Sequence, residues 1–196
     1  MELRIGASTN DSELESKSES KFALERPGRS VLKNATKLEF TNIECTVVDK
    51  IFVKFDYCYI KAVNRSYKYI SLKANMLELP LSDPSASLQI LRRFRKYTPV
   101  TMNATFDVCK FMSSQKSSRN PMLSLFADIA KAYTNVYHKC PYDHDLVIDK
   151  LPASYLNQHF LNILFLPPGE YAFYSSWYTK NVERAKIKIY GTLSWE

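Results

Sequence analysis

The chain has 196 residues, 45% of them hydrophobic, 13% aromatic and 24% charged, with a formal net charge of +7. That is a globular composition, enough for one domain and a tail. No run of eighteen apolar residues occurs, so no segment is expected to span a membrane.

Residues 1–35 differ from the rest. They carry six charges of each sign, and "STNDSELESKSES" has no apolar periodicity and little hydrophobic surface to offset the entropy of ordering it. A disordered tail over 1–35 is expected, followed by a folded domain over 36–196. The start, "MELRIGASTNDSEL", lacks the apolar stretch of a secretory signal. The +7 surplus falls on residues 36–196 and could favour an anionic partner. Its lysines mostly alternate with apolar residues, as in "RAKIKIYG", the pattern of a solvated sheet face. The one tight cluster, "RRFRK" (Arg92–Lys96), has no recognition motif around it, and nucleic acid is not an expected partner.

From about residue 38 the hydrophobic period is two. "YKYISLKANM" sets Ile70, Leu72, Ala74 and Met76 against Tyr69, Ser71, Lys73 and Asn75. "SASLQILRRF" reads as the weakest strand. "TMNATFDVC" sets Met102, Ala104, Phe106 and Val108 against Asn103, Thr105 and Asp107. One segment breaks the pattern. In "NPMLSLFADIAKAYTNVYHKC", Met122, Leu125, Phe126, Ile129, Tyr133 and Val136 recur at helical spacing, with Asn120 as N-cap and Pro121 at the first position. "EYAFYSSWYT" alternates aromatics on both faces. "ERAKIKIYGTLSW" sets Ala185, Ile187, Ile189 and Leu193 against Arg184, Lys186, Lys188 and Thr192. Turn signals at "LSDPSAS", "LPPGE" and "TKNVER" separate the segments. The expectation is an all-β domain of about eight strands, with one helix of about four turns lying on the sheets or covering an opening between them.

Four cysteines, Cys45, Cys58, Cys109 and Cys140, show no C-x-x-C pair, and the histidines are not in H-E-x-x-H spacing, so no metal site is expected. An even count in a small β domain reads as two disulfides formed in an oxidising compartment, with free buried cysteines as the alternative. Three pairings are open. Cys45–Cys58 with Cys109–Cys140 is favoured, the second closing a loop that carries the helix. The sequons at Asn34, Asn64 and Asn103 lie in or beside the folded part, and a fourth, at Asn10, lies in the tail. Asn103 falls on the polar face of its strand, where a glycan is tolerated.

"YHKCPYDHDLVID" (137–149) crowds His138, Cys140, His144 and three aspartates together. A strand beginning near His144 would put that ring on one face with Leu146 and Ile148, and Asp143 and Asp145 on the other. A histidine and an aspartate so placed do not converge on one proton, as general-base catalysis requires. His138 is expected at the helix C-terminus, where the dipole favours a cation. Only Gly169 and Gly191 follow residue 35, so no phosphate-cradling loop is expected. No enzyme and no cofactor are expected; the crowding reads as structural.

"LEFTNIECTVVDKIFVKFDYCYIKAVNRSYKYISLK", "NATFDVCKF", "HKCPYDHDLVIDKLP" and "LPPGEYAFYSSWY" together resemble an insect-specific family of uncharacterised secreted proteins related to the chemosensory-organ A and B proteins. More distantly, "CPYDHDLVIDKLP" followed by "PPGEYAFYSSW" resembles the lipid-recognition (ML) superfamily that includes the Niemann-Pick type C sterol-transfer protein. The resemblance implies an immunoglobulin-like β-sandwich whose sheets part around a lipid, and a bridge from Cys109 to Cys140. Those sterol carriers have a cysteine in the last strand that this chain lacks, which leaves Cys45 for Cys58. Members of the insect family begin with a signal peptide. Its absence here points to an incorrect or alternative first exon, or to a form retained in the cytosol.

The resemblance implies a secreted carrier of a lipid, sterol or hydrocarbon, acting in chemosensation with a membrane receptor as a further partner. Inward residues expected to wall its pocket are Ile70, Leu72 and Met76, then Phe106 and Val108, then Phe173, Trp177, Ile187 and Ile189, with Leu125 and Ile129 of the helix as a lid. A cavity on the order of several hundred Å³ would suit a carrier. A filled core would suit instead an extracellular interaction module presenting Tyr67, Tyr69, Tyr174 and Tyr178.

Overall fold

The computed structural model describes residues 37–101, 103–114, 120–157 and 166–195. The tail expected over 1–35, Asn10, Asn34 and Met102 lie outside them. The described part is a disulfide-bonded antiparallel β-sandwich of nine strands. They are β1 (Lys37–Val47), β2 (Val53–Ala62), β3 (Lys68–Met76), β4 (Pro84–Arg93), β5 (Tyr97–Pro99), β6 (Ala104–Asp107), β7 (Leu146–Pro152), β8 (Gly169–Thr179) and β9 (Val182–Ser194). The larger sheet runs β1-β9-β8-β4-β5, with β6 also paired to β4; the smaller runs β2-β3-β7.

The segment read as the weakest strand is the long partner of β8: Pro84 to Arg92 pair with Thr179 to Tyr171 without a break. The expected turn at "LSDPSAS" is shorter than it reads, because Pro84 opens the strand, where its missing N–H costs least. "TKNVER" does turn. Lys180 and Asn181 both take positive φ, 50° and 60°, as a tight hairpin with the twist of its strands requires.

Besides a short helical stretch at 153–157, two helices occur among the described residues, not one. "TMNATFDVC" leaves the strand at Asp107, whose carboxylate accepts from the Lys110 backbone N–H (2.9 Å) and caps α1 (Val108–Ser114). Val108 and Cys109 are therefore helical. The cap overrides the alternation, because an aspartate at that place satisfies a donor that a strand would leave for a neighbour. The anticipated helix is α2 (Pro121–Tyr133), capped by the Asn120 side chain accepting from the Met122 N–H (2.9 Å). It ends earlier than its periodicity suggests: Thr134 is extended and bridges to Ile148. A helical turn at 153–157 follows β7.

Both sheets and α2 feed the core. Phe40 of β1, Ile70 of β3, Leu88 and Ile90 of β4, Leu125 of α2, Leu151 of β7 and Leu193 of β9 are almost wholly buried. In β7 the pairing steps from Leu72–Ile148 to Ile70–Leu151, and Lys150 takes a positive φ of 49° while its N–H donates to Ser71 Oγ (3.0 Å). This bulge keeps Ile148 and Leu151 both in the apolar interior. The cysteines pair as Cys45–Cys58 and Cys109–Cys140. The first joins β1 of one sheet to β2 of the other; the second ties α1 to the loop before β7. The basic "RRFRK" cluster is partly engaged: Arg92 donates to the Pro168 carbonyl (2.8 Å) and Arg93 pairs with Glu170 (2.7 Å).

Candidate functional site

Inward side chains of the two sheets do not fill the space between them. They line a partly open cavity of about 180 Å³. Leu72, Ala74 and Met76 of β3, Leu146 and Ile148 of β7, and Phe55 of β2 form the wall from the smaller sheet. Phe173 and Trp177 of β8 and Ile187 and Ile189 of β9 face them, and Leu125 and Ile129 of α2 cover one side. The volume is below the several hundred Å³ that a carrier was expected to need. Aromatic packing takes up the difference: Phe126 of α2 stands 5.1 Å from Phe106, 6.0 Å from Phe111 and 6.0 Å from Trp177, ring centre to ring centre.

Of the eleven side chains singled out from the sequence, Ile70, Phe106 and Val108 do not line the cavity. Ile70 lies deeper in the core, Phe106 packs edge-on against Phe111 and Phe126, and Val108 sits in α1. The other eight do line it. Phe40, Leu88, Ile90 and Leu151 also reach it, and these were missed for different reasons. Leu88 and Ile90 lie in the segment with the weakest strand pattern, and Leu151 comes inward only through the bulge in the β3–β7 pairing.

Polar groups at the wall have partners. Trp177 Nε1 donates to Ser175 Oγ (3.1 Å), and Tyr171, whose burial raises its phenol above the ordinary value, donates to the Pro167 carbonyl (2.7 Å). The residue no alternation could place is Arg184. Sequence periodicity puts it with the outward lysines. A bulge in the β8–β9 pairing steps from Trp177–Ala185 to Tyr178–Glu183 and leaves Arg184 over. Its guanidinium lies 4.2 Å from the centre of the Phe52 ring, pairs with Asp49, and donates from Nε to Thr179 Oγ1 (2.8 Å). The Ile51 backbone N–H, and after it Arg184, hold the Asp49 carboxyl below its ordinary range, so the pair is charged.

The crowded segment at 137–149 resolves differently from its sequence reading. His138 is five residues beyond the end of α2, too far to meet its dipole. β7 begins at Leu146, so His144 precedes the strand. The two rings meet each other, with Nε2 to Nε2 at 2.8 Å, and Tyr142 packs edge-on against both. Tyr142 is 1% exposed; its hydroxyl donates to the Val136 carbonyl (2.9 Å), and burial pushes its pKa up to about 12. Asp145 accepts from the Met76 N–H (3.0 Å) and pairs with Lys73 (3.3 Å). These groups hold the loop between α2 and β7 against β3. Among the described residues no group of three or more His, Cys, Asp or Glu side chains is placed to hold a metal ion.

Asn64 and Asn103 are exposed. Asn64 Oδ1 accepts from the Ser66 and Tyr67 N–H groups, and Asn103 Oδ1 from Ser87 Oγ. Of the four tyrosines considered for an interaction surface, only Tyr67 is exposed; Tyr69 is buried and Tyr174 and Tyr178 are half-buried. Among the described residues no helix is long and apolar enough to cross a membrane.

Residues 86–173 match a family model described as a protein of unknown function (DUF1091). The matched stretch is less than half of the chain. It runs from β4 through both helices and β7 into β8, and so includes the Cys109–Cys140 loop and the α2 side of the cavity. No curated protein matches the chain.

Proposed function

We propose that this protein is a secreted, non-enzymatic carrier that holds an apolar small molecule between its two sheets and acts in chemosensation. The observation that carries the reading is the cavity of about 180 Å³ with an almost wholly apolar wall. Close-packed interiors rarely keep such a space, because an unfilled void forfeits dispersion contacts on every side. It is larger than the engineered cavity of about 150 Å³ that takes up benzene, and smaller than the ~300–1,000 Å³ of drug-sized sites. Two disulfides support passage through an oxidising compartment. The resemblance to the insect secreted family and to the lipid-recognition superfamily supports cargo of lipid, sterol or hydrocarbon type. As it stands the space suits a chain or a single ring, and a sterol would require the sheets to part.

Protein made in a eukaryotic secretion host should carry an extractable apolar molecule, and after delipidation should take one up saturably with a change in Trp177 fluorescence. No co-purified molecule and no saturable uptake of hydrocarbons, fatty acids or sterols would refute the carrier. The second reading, an extracellular interaction module with a membrane receptor as partner, has exposed Tyr59 and Tyr67 of the β2–β3 hairpin in its favour. Receptor binding that is indifferent to delipidation would favour it.

A further inference from the structure

We propose that the ligand is a single chain with an uncharged, hydrogen-bonding end, and that this end lies in a polar vestibule formed by the β3–β4 connection and the β8–β9 turn, with Phe52 of the β1–β2 turn at its side. The inference rests on the carrier reading and specifies its cargo.

The vestibule is a second, more polar space of about 170 Å³. Its polar side chains are Glu78, Ser82, Asp83, Thr179, Lys180 and Arg184. Four residues line both it and the apolar cavity: Phe52, Leu81, Thr179 and Arg184. They are the partition between the two spaces. An apolar chamber that meets a polar one across four side chains matches a molecule apolar along its length and polar at one end.

The charge at the vestibule selects the kind of end. Arg184 is already paired with Asp49 and engaged with Thr179, so its charge is answered within the protein. Asp83 accepts from the Lys180 backbone N–H (3.1 Å), and Glu78 and Asp83 put two carboxylates at the rim. A carboxylate head would meet both of these and compete with Asp49. An ammonium head would meet two cations, Lys180 and Arg184. A hydroxyl donates and accepts without disturbing either balance, and Thr179 Oγ1 stands at the partition.

The surroundings also suit entry at this end. Ile51 is 77% exposed and adjoins Phe52; Leu77, also exposed, donates its N–H to the Phe52 carbonyl (2.9 Å). Leu79 lines the vestibule itself and is exposed. A chain slipping past Phe52 and Leu81 therefore meets apolar side chains outside the mouth as well as within it.

The test uses the delipidated full chain and four ligands of one length: hexane, 1-hexanol, hexanoate and hexylammonium, titrated at neutral pH and read by Trp177 fluorescence. Hexanol is expected to bind about ten-fold more tightly than the other three, and Ser82→Phe, which fills the vestibule without adding a second reporter there, to reduce hexanol to the affinity of hexane. Equal binding of hexane and hexanol would overturn the vestibule and leave the carrier standing. Tightest binding of hexanoate or hexylammonium would overturn the uncharged end. Failure of all four to bind would overturn the single-chain cargo, while the carrier itself falls only if no apolar molecule co-purifies and no hydrocarbon, fatty acid or sterol is taken up.

Discussion

Replacing Ala74 by leucine turns the presence of the cavity into a sign. Ala74 sits two residues before the end of β3, paired with Phe55 and Leu146, is 7% exposed, and lines the space between the sheets. Leucine adds three carbons there. At about 0.8 kcal/mol for each buried methylene the gain is at most about 2.4 kcal/mol, and ordering the new side chain returns about 0.5–1 kcal/mol of it. The net expectation is a stabilisation of about 1.5 kcal/mol, because about 180 Å³ is more than the added atoms occupy. In a filled core the same change would force neighbours aside and cost about 1–3 kcal/mol. Urea unfolding of the oxidised protein reads the difference. With m near about 2 kcal/mol/M, the midpoint should rise by roughly 0.7 M at unchanged m. Uptake of an apolar ligand should weaken in parallel, since the leucine occupies its space. A midpoint that falls by about 0.5 M or more would show that no usable space exists between the sheets, and the carrier reading would lose its foundation.

Replacing Cys109 and Cys140 together by alanine opens a loop of separation 31 and should cost about 3–4 kcal/mol in the same unfolding assay; a loss under about 1 kcal/mol would mean that the bridge constrains the unfolded chain little. Gly191→Ala would bring a Cβ to 2.8 Å from Leu38 Cδ1 and 3.0 Å from the Glu39 carbonyl, so calorimetry should show Tm lower by roughly 3–10 °C, and an unchanged Tm would contradict the β1–β9 register at Phe40–Gly191. The Lys110 backbone N–H holds the Asp107 carboxyl below its ordinary value. A carboxyl lowered in the folded state contributes stability that is complete above the unfolded value, near about 3.9, and is lost as pH falls through the folded one. Wild type should therefore lose more stability than Asp107→Ser between about pH 5 and about pH 2; equal losses would remove the cap from the account.

The β-sandwich was legible because one face of most strands is buried, which writes a period of two into the side chains. The α2 start was legible for a local reason: Asn120 and Pro121 are chemically suited to a cap and a first turn. What stayed hidden depended on single interruptions. Asp107 could belong to a strand or to a cap, and only the neighbouring backbone decides. Arg184 was assigned to the solvated face because periodicity has no term for an extra residue; one bulge turns it onto Phe52. His138 and His144 are six residues apart and meet across a loop whose path has no periodic signature. Eight of the eleven positions named from the sequence border the space, yet alternation cannot separate a core position from a cavity position. Ile70 and Leu72 share one face of one strand, and only Leu72 borders the space.

The Cys45–Cys58 bridge has a mechanical consequence. It clasps the β1 edge of one sheet to the β2 edge of the other, a few residues from Phe52 and Arg184. The sheets then resemble the covers of a bound book with sulfur in the spine. Thicker contents can be admitted only by swinging the covers apart at the far margin, where α2 lies. The mouth beside the spine keeps its width, so cargo enters lengthwise and its girth is gauged before its length. Reducing that one bond would abolish the gauge while leaving the greasy lining in place.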